Sequence, residues 1–134
     1  MFAVLYVSDF QLQAVLRLER ELEAQPVALI DESRRPPTIM ACTVAAQAAD
    51  VEPGQTGPQA MARCANVILR TAQREAEVEA RAGLIAAALS VSPQVEDTTL
   101  GVCTMHVGGL AKARREPALR AALDQLAQLG LKAT

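Results

Sequence analysis

The strongest constraint on this chain is its own beginning. Met1 to Val7 is an unbroken apolar run, and its β-branched and aromatic residues suit a buried strand better than a helix. Alternation gives that strand two faces, with Ala3, Leu5 and Val7 on one and Phe2, Val4, Tyr6 and Ser8 on the other. Both sets are largely apolar, so the sequence predicts a central strand covered on both sides. The strand runs directly into a helix at Gln11, with Ser8 or Asp9 as the cap. A strand feeding a helix is a frequent seat of chemistry in α/β proteins, so the question is what stands at this one.

The length, 134 residues, fits one domain or a small domain with an inserted subdomain. Aromatic residues are confined to Phe2, Tyr6 and Phe10, so Ala, Leu and Val must make the core. A net charge of −2 provides no global field to recruit nucleic acid. Cys42, Cys64 and Cys103 are widely spaced and form no CxxC pair, which fits buried, reduced thiols and gives no metal site. There is no basic segment ahead of the first apolar run, and no run reaches the roughly 20 apolar residues that a membrane span needs. The expectation is a cytoplasmic, soluble domain without a membrane partner.

Along the chain, an amphipathic pattern over Gln11 to Ala24 predicts a helix that ends at Gln25-Pro26. Residues 26–43 read as a hairpin around the paired prolines Pro36-Pro37. A helical turn at Val44 to Ala49, a loop through Gly54 and Gly57, a helix opened by Pro58 and a strand at Val67 to Arg70 follow. Glu75 to Leu89 predicts a long helix with Val78, Ala82, Ile85 and Leu89 as its buried stripe. Gln94 to Thr99 and Val102 to Val107 read as strands joined at Leu100-Gly101. Arg115 to Leu129 is the last helix, with Leu119, Leu123, Leu126 and Leu129 inward and Gly130 as C-cap. The fold class is α/β (α+β). Residues 1–10 and 72–134 supply most of a ferredoxin-like β-α-β-β-α unit that lacks its closing strand, and residues 11–71 form an inserted small α/β lobe. An unpaired sheet edge would result, to be covered by a homodimer through that edge or by some other segment.

Several segments then resemble one family in order and spacing. Tyr6-Val-Ser-Asp-Phe10 after the first strand, Ala41 to Ala60 with Val51-Glu-Pro-Gly54, and Ser92-Pro-Gln-Val-Glu96 before a hairpin together look like the palm and fingers of Y-family translesion DNA polymerases. The resemblance implies that the ferredoxin-like part is the palm and that 11–71 is the fingers. It also implies where a catalytic member carries its acids: the first pair would fall on Tyr6 and Ser8, and the second on Gly101 and Val102. The aromatic that screens the ribose would fall on Gln11, and the triphosphate contacts on Val44 and Gln47. Two-metal phosphoryl transfer needs carboxylates that hold ions roughly 4 Å apart, and Tyr, Gly and Val cannot do this. The chain therefore resembles the ImuB-type, catalytically silent members. That implies no catalytic residues, no metal, no cofactor, and a role as an adaptor toward repair and replication proteins, with weak DNA contact in a longer chain.

Two other readings stand beside it. One is an active nucleotidyltransferase with its acids elsewhere, although no Asp or Glu occurs between Glu32 and Asp50 or from Thr98 to Arg115. The other is an unrelated ferredoxin-like ligand-binding or regulatory domain. His106 reads as an ordinary strand side chain. Arg63, Arg70, Arg74 and Arg81, interleaved with Glu75, Glu77 and Glu79, read as a solvated face and not a phosphate track.

Overall fold

The computed structural model describes all of residues 1–134. Two three-stranded sheets organise it. The first contains β1 (Phe2–Tyr6), β5 (Val95–Thr99) and β6 (Val102–His106) in the order β1-β6-β5, with antiparallel pairing throughout. The second contains β2 (Val27–Asp31), β3 (Thr38–Cys42) and β4 (Ile68–Thr71) in the order β3-β2-β4, with β4 parallel to β2. The mixed α/β architecture and the hairpin over 26–43 are as the sequence predicts.

Helices α4 (Arg74–Val91) and α5 (Lys112–Gln128) cover one face of the first sheet. Their contact is built from small residues. Ala76, Ala80, Ala87 and Ala88 are buried with Leu84 and Val91, whereas Val78 and Leu89 of the predicted stripe point to solvent. Alanines let a helix lie close against a sheet and a second helix, so here the larger apolar residues are the ones left outside. A Cβ on Gly83 would come within 2.8 Å of Leu129 Cδ1, which shows how tightly the end of α5 sits. On α5 the buried residues are Ala122 and Leu126, with Leu119 and Leu123 partly covered and Leu129 at the rim. The helix closes in a Schellman motif: the Leu131 N–H donates to the Leu126 carbonyl (2.9 Å), the Gly130 N–H to Ala127 (3.0 Å), and Gly130 takes φ +82°.

The helix expected over Gln11 to Ala24 is shorter. Helix α1 spans Phe10–Leu16, and the chain then tightens through i→i−3 bonds from Leu18 and Glu19 into a 3-10 turn at Arg20–Leu22. Glu19 is drawn to Arg70 on β4, with Nε to Oε2 at 2.9 Å, so this cation of the expected solvated row is paired across the lobe. Helix α1 faces both cores: Phe10 and Ala14 join the first, while Leu12, Val15 and Leu16 join Val27, Leu29 and Ala41 of the second sheet. On the far side of that sheet, α2 (Val44–Ala48) and α3 (Gly57–Arg63) bring Ala46 and Ala60 onto Ala28 and Ile39. Helix α3 starts with a capping box between Thr56 and Gln59.

The largest departure concerns β1. Its Ala3–Leu5–Val7 face is packed, but Phe2, Val4 and Tyr6 are 67%, 50% and 48% exposed. No helix lies over that side, because α4 and α5 both pack on the other. Nor is β1 flanked by full strands. On the side away from β6 it meets only the tail, where Tyr6 and Thr134 exchange N–H···O bonds of 3.1 and 2.9 Å and Ala133 bridges Val7 antiparallel. Those two residues lie where a closing strand would run.

Candidate functional site

The functional candidates gather where β1 ends. The register sets Tyr6 directly opposite Val102, and the Val7 N–H donates to the Gly101 carbonyl at 2.8 Å. Tyr6, Gly101 and Val102 are therefore neighbours. Their side chains supply no carboxylate: a half-exposed phenol, a half-buried isopropyl, and a glycine that could carry nothing else. Gly101 has φ +75°, and a Cβ there would lie 2.7 Å from the Val7 carbonyl oxygen and 2.9 Å from Phe10 Cβ. The turn between β5 and β6 is folded down onto the β1–α1 junction, with no room for a side chain.

That junction is itself bent. Asp9 precedes α1 at φ 45°, ψ 50°, in the left-handed region that Asp tolerates better than most residues, and its side chain makes no cap bond. The sequence places Asp9 on the far face of the strand, but β1 has already ended at Tyr6. Asp9 instead lines a crevice of about 170 Å³ with Tyr6, Gln11 and Leu100 on one side and Met40 and Ala41 of β3 on the other. It is the one carboxylate among the crevice residues. No three His, Cys, Asp or Glu side chains anywhere in the molecule come close enough together to hold a metal ion.

Val44 and Gln47 sit across a second cleft of about 200 Å³, lined also by Ser8, Asp9, Gln13 and Lys132. Val44 is largely exposed to solvent, while the Gln47 amide donates to the Cys42 carbonyl at 3.1 Å and so serves the turn that starts α2. Gln11 is occupied as well: its amide donates to Glu77 of α4 at 2.8 Å. The structure thus brings Tyr6, Gly101 and Val102 together and places Val44 and Gln47 on the opposite lobe.

Two features escaped the sequence. The Gln13 side chain clamps the tail to the β1–α1 turn, donating to the Ser8 and Lys132 carbonyls (2.7 and 3.1 Å) and accepting from the Lys132 N–H (2.7 Å). Arg17 and Arg20 donate to the Leu129 and Gln128 carbonyls and so cap α5 from outside. Neither has a local signature, because the partners lie more than 100 positions apart. Burial pushes the Cys42 and Cys103 thiols up, so neither is an activated nucleophile. Arg81 pairs with Asp97 across the inner side of the first sheet.

Solved structures share this fold over the whole chain. The insertion ternary complex of Dbh DNA polymerase superposes with a TM-score of 0.84 at 12% identity, covering 100% of this chain and 41% of that one. DinB from Sulfolobus solfataricus gives 0.80 at 12% identity, again covering 100% and 41%. A Y-family polymerase chimera, Dbh-Dpo4(243-245)-Dbh, gives 0.80 at 14% with the same coverage. The chain thus spans about two-fifths of the length of these polymerases. No curated protein matches it by sequence. The family described as IMS, impB/mucB/samB, matches residues 5–132. An unrelated ferredoxin-like regulatory domain is therefore set aside: the chain belongs to the impB/mucB/samB family and has the fold of the Y-family polymerase palm region.

Proposed function

We propose that this is a non-catalytic Y-family polymerase-like module, of the ImuB type, that serves translesion synthesis as an adaptor through protein contacts. Residues 1–10 and 72–134 are its palm, and 11–71 its fingers. The observation that carries the reading is Gly101. At one position where the family resemblance calls for an acid, the backbone is in a left-handed turn that leaves no space for any side chain. Tyr6 and Val102 pack across from each other beside it. The divalent ions that family members use do not fit the donor set here, since Asp9 alone cannot bridge two cations. The triphosphate positions support the same reading, because Val44 offers no polar group and Gln47 is spent on its own turn.

The test is a manganese titration followed by amide line broadening. No saturable broadening is expected at Tyr6, Ser8 or Val102. A site there that fills at sub-millimolar Mn²⁺ would overturn the reading. In a lesion-bypass reaction driven by an active polymerase, the protein should alter bypass yet extend no primer on its own.

A further inference from the structure

The two lobes are joined by very little apolar contact. The core of the first sheet takes no residue between Ala14 and Ala76, and the two clusters around the second sheet run from Leu12 to Leu69. Ala14 is therefore the one residue of 11–71 buried in the first core. The side-chain hydrogen bonds that tie 11–71 to the rest of the chain all involve Gln11, Gln13, Arg17 or Arg20. Three of these four grip backbone at the end of α5. Arg20 donates to the Gln128 carbonyl at 2.8 Å and Arg17 to the Leu129 carbonyl at 3.3 Å, while Gln13 takes the Lys132 C=O and N–H at 3.1 and 2.7 Å. A spacing of four and then three residues keeps them on one side of α1 and the turn after it. Gly130 makes room for the arginines: a Cβ there would lie 2.9 Å from both Arg17 Cβ and Arg20 Nη2.

Cations suit the last carbonyls of a helix, where the backbone dipole ends negative. Yet these bonds are exposed, and the Glu79 carboxylate that pairs with Arg17 is exposed as well. Water replaces such bonds at little net cost, whereas the core inside each lobe is dry. The joint is therefore weaker than either core. Two chain crossings remain, at Ser8-Asp9 and at Ala72-Gln73. The cleft of about 200 Å³ has walls from both lobes, with Ser8 and Lys132 on one side and Thr43, Val44 and Gln47 on the other. We propose that Gln13, Arg17 and Arg20 form a latch. While they hold the end of α5, the 11–71 lobe is fixed against the first-sheet lobe. When they let go, it turns as a unit about Ala14 and the two crossings, and the cleft widens. The device uses none of the family's acid positions and operates whether or not the module is catalytic.

The experiment measures residual dipolar couplings of the backbone amides in a dilute aligned medium, fitted separately for residues 27–71 and for the first-sheet lobe. In the wild type one alignment tensor should fit both sets. The double variant Arg17→Met and Arg20→Met keeps the aliphatic stems over Gly130 and removes the bonds, so it should need two tensors, with weaker alignment of 27–71. Arg20→Met alone should shift the fit the same way by less. Arg34→Met, at the tip of the β2–β3 hairpin, should leave one tensor. Hydrogen exchange at Leu29 and Met105 should stay at wild-type rates, because each core is intact. Two results would overturn the proposal: one tensor that still fits both lobes of the double variant, or two tensors already needed in the wild type. If exchange shows that the double variant loosens a core, Arg20→Met decides, and a fit identical to wild type there would overturn the latch.

Discussion

The central strand of one sheet and the first strand of the other have the same texture in sequence and opposite fates in the fold. Val27-Ala-Leu-Ile-Asp31 and Phe2-Ala-Val-Leu-Tyr6 are both short and nearly all apolar. Around β2 the chain supplies two covers. Leu12, Val15 and Leu16 lie on Val27 and Leu29, while Ala46 and Ala60 lie against Ala28. Around β1 it supplies one cover and leaves Phe2, Val4 and Tyr6 in water. An apolar run reports that both faces are apolar. It does not report whether the same chain provides both covers, and an uncovered face is where a partner has something to gain.

The comparison can be broken by truncation. Leu29→Ala should cost about 2–5 kcal/mol, since Leu29 is fully buried between two layers. Val4→Ala should stay within about 1 kcal/mol, a β-propensity effect at an exposed site. Urea midpoints at constant m-value measure both. Equal losses would mean that the open face is covered in solution, by a second copy or by rearrangement, and the contrast would collapse.

A smaller effect tests the junction under β1. Gly101→Ala introduces a Cβ against the Val7 carbonyl at a positive φ, with an expected loss of about 1–3 kcal/mol. Gly54→Ala is the control: it also has positive φ, at +95°, but a Cβ there meets nothing within 4 Å. If the two substitutions cost the same, backbone strain explains both, and the close approach of the β5–β6 turn contributes nothing. The same geometry bears on restoring acids. Tyr6→Asp and Val102→Glu can be accommodated at half-open positions, whereas Gly101→Asp has to move the turn first. Mn²⁺ should therefore fail to rescue the triple variant.

The tail gives the next step down. Gln13→Ala removes three hydrogen bonds, two to the Lys132 backbone N–H and C=O and one to the Ser8 carbonyl. A loss of about 1 kcal/mol is expected, because water replaces most of what is removed. The sharper readout is hydrogen exchange at Tyr6 and Thr134, which pair with each other at the outer edge of β1. Both amides should exchange faster. If β1 also pairs with a second copy through its free edge, freeing the tail should raise self-association in light scattering. No change in association would show that this edge is not a surface through which two copies pair.

The parts of the fold that sequence made legible are those with local causes. Pro58 announces the start of α3, Gly130 the end of α5, and Leu100-Gly101 the turn of the first-sheet hairpin. The buried stripe of α4 was not legible, because hydrophobicity ranks Val78 and Leu89 above the alanines that close packing requires. The early end of α1 was hidden for a related reason: Glu19 leaves the helix for Arg70, a partner 51 positions away. At the site, the adjacency of Tyr6 with Val102 was implied by the family resemblance, which puts acid positions on both, and not by composition or period. The position of Asp9 was not implied, since a left-handed residue before a helix has no mark in composition or period. Long-range side-chain clamps such as Gln13 are likewise silent until the fold is known.

The smallest effect is electrostatic and belongs to the doubly covered sheet. The hydrogen bond from Arg70 holds the Glu19 carboxyl below its ordinary value. A depressed acid contributes stability that is complete above its unfolded pKa and is lost as pH falls through the folded one. The pair therefore supports the fold at neutral pH and loses that support only in acid, as pH falls below the ordinary glutamate range and through the depressed value. Arg70→Met keeps the aliphatic stem over β4 and removes the bond. At pH 7 the variant should be only slightly less stable, because both partners are accessible to water and salt screens them. On acidification the wild type should converge on the variant, as the term that separates them titrates away. Asp31, lowered by its bonds from Ser33, changes equally in both proteins and cancels from the difference. A gap that stays constant from neutral to acid pH would show that Arg70 acts through packing alone, and that Glu19 leaves α1 for some reason other than its charge.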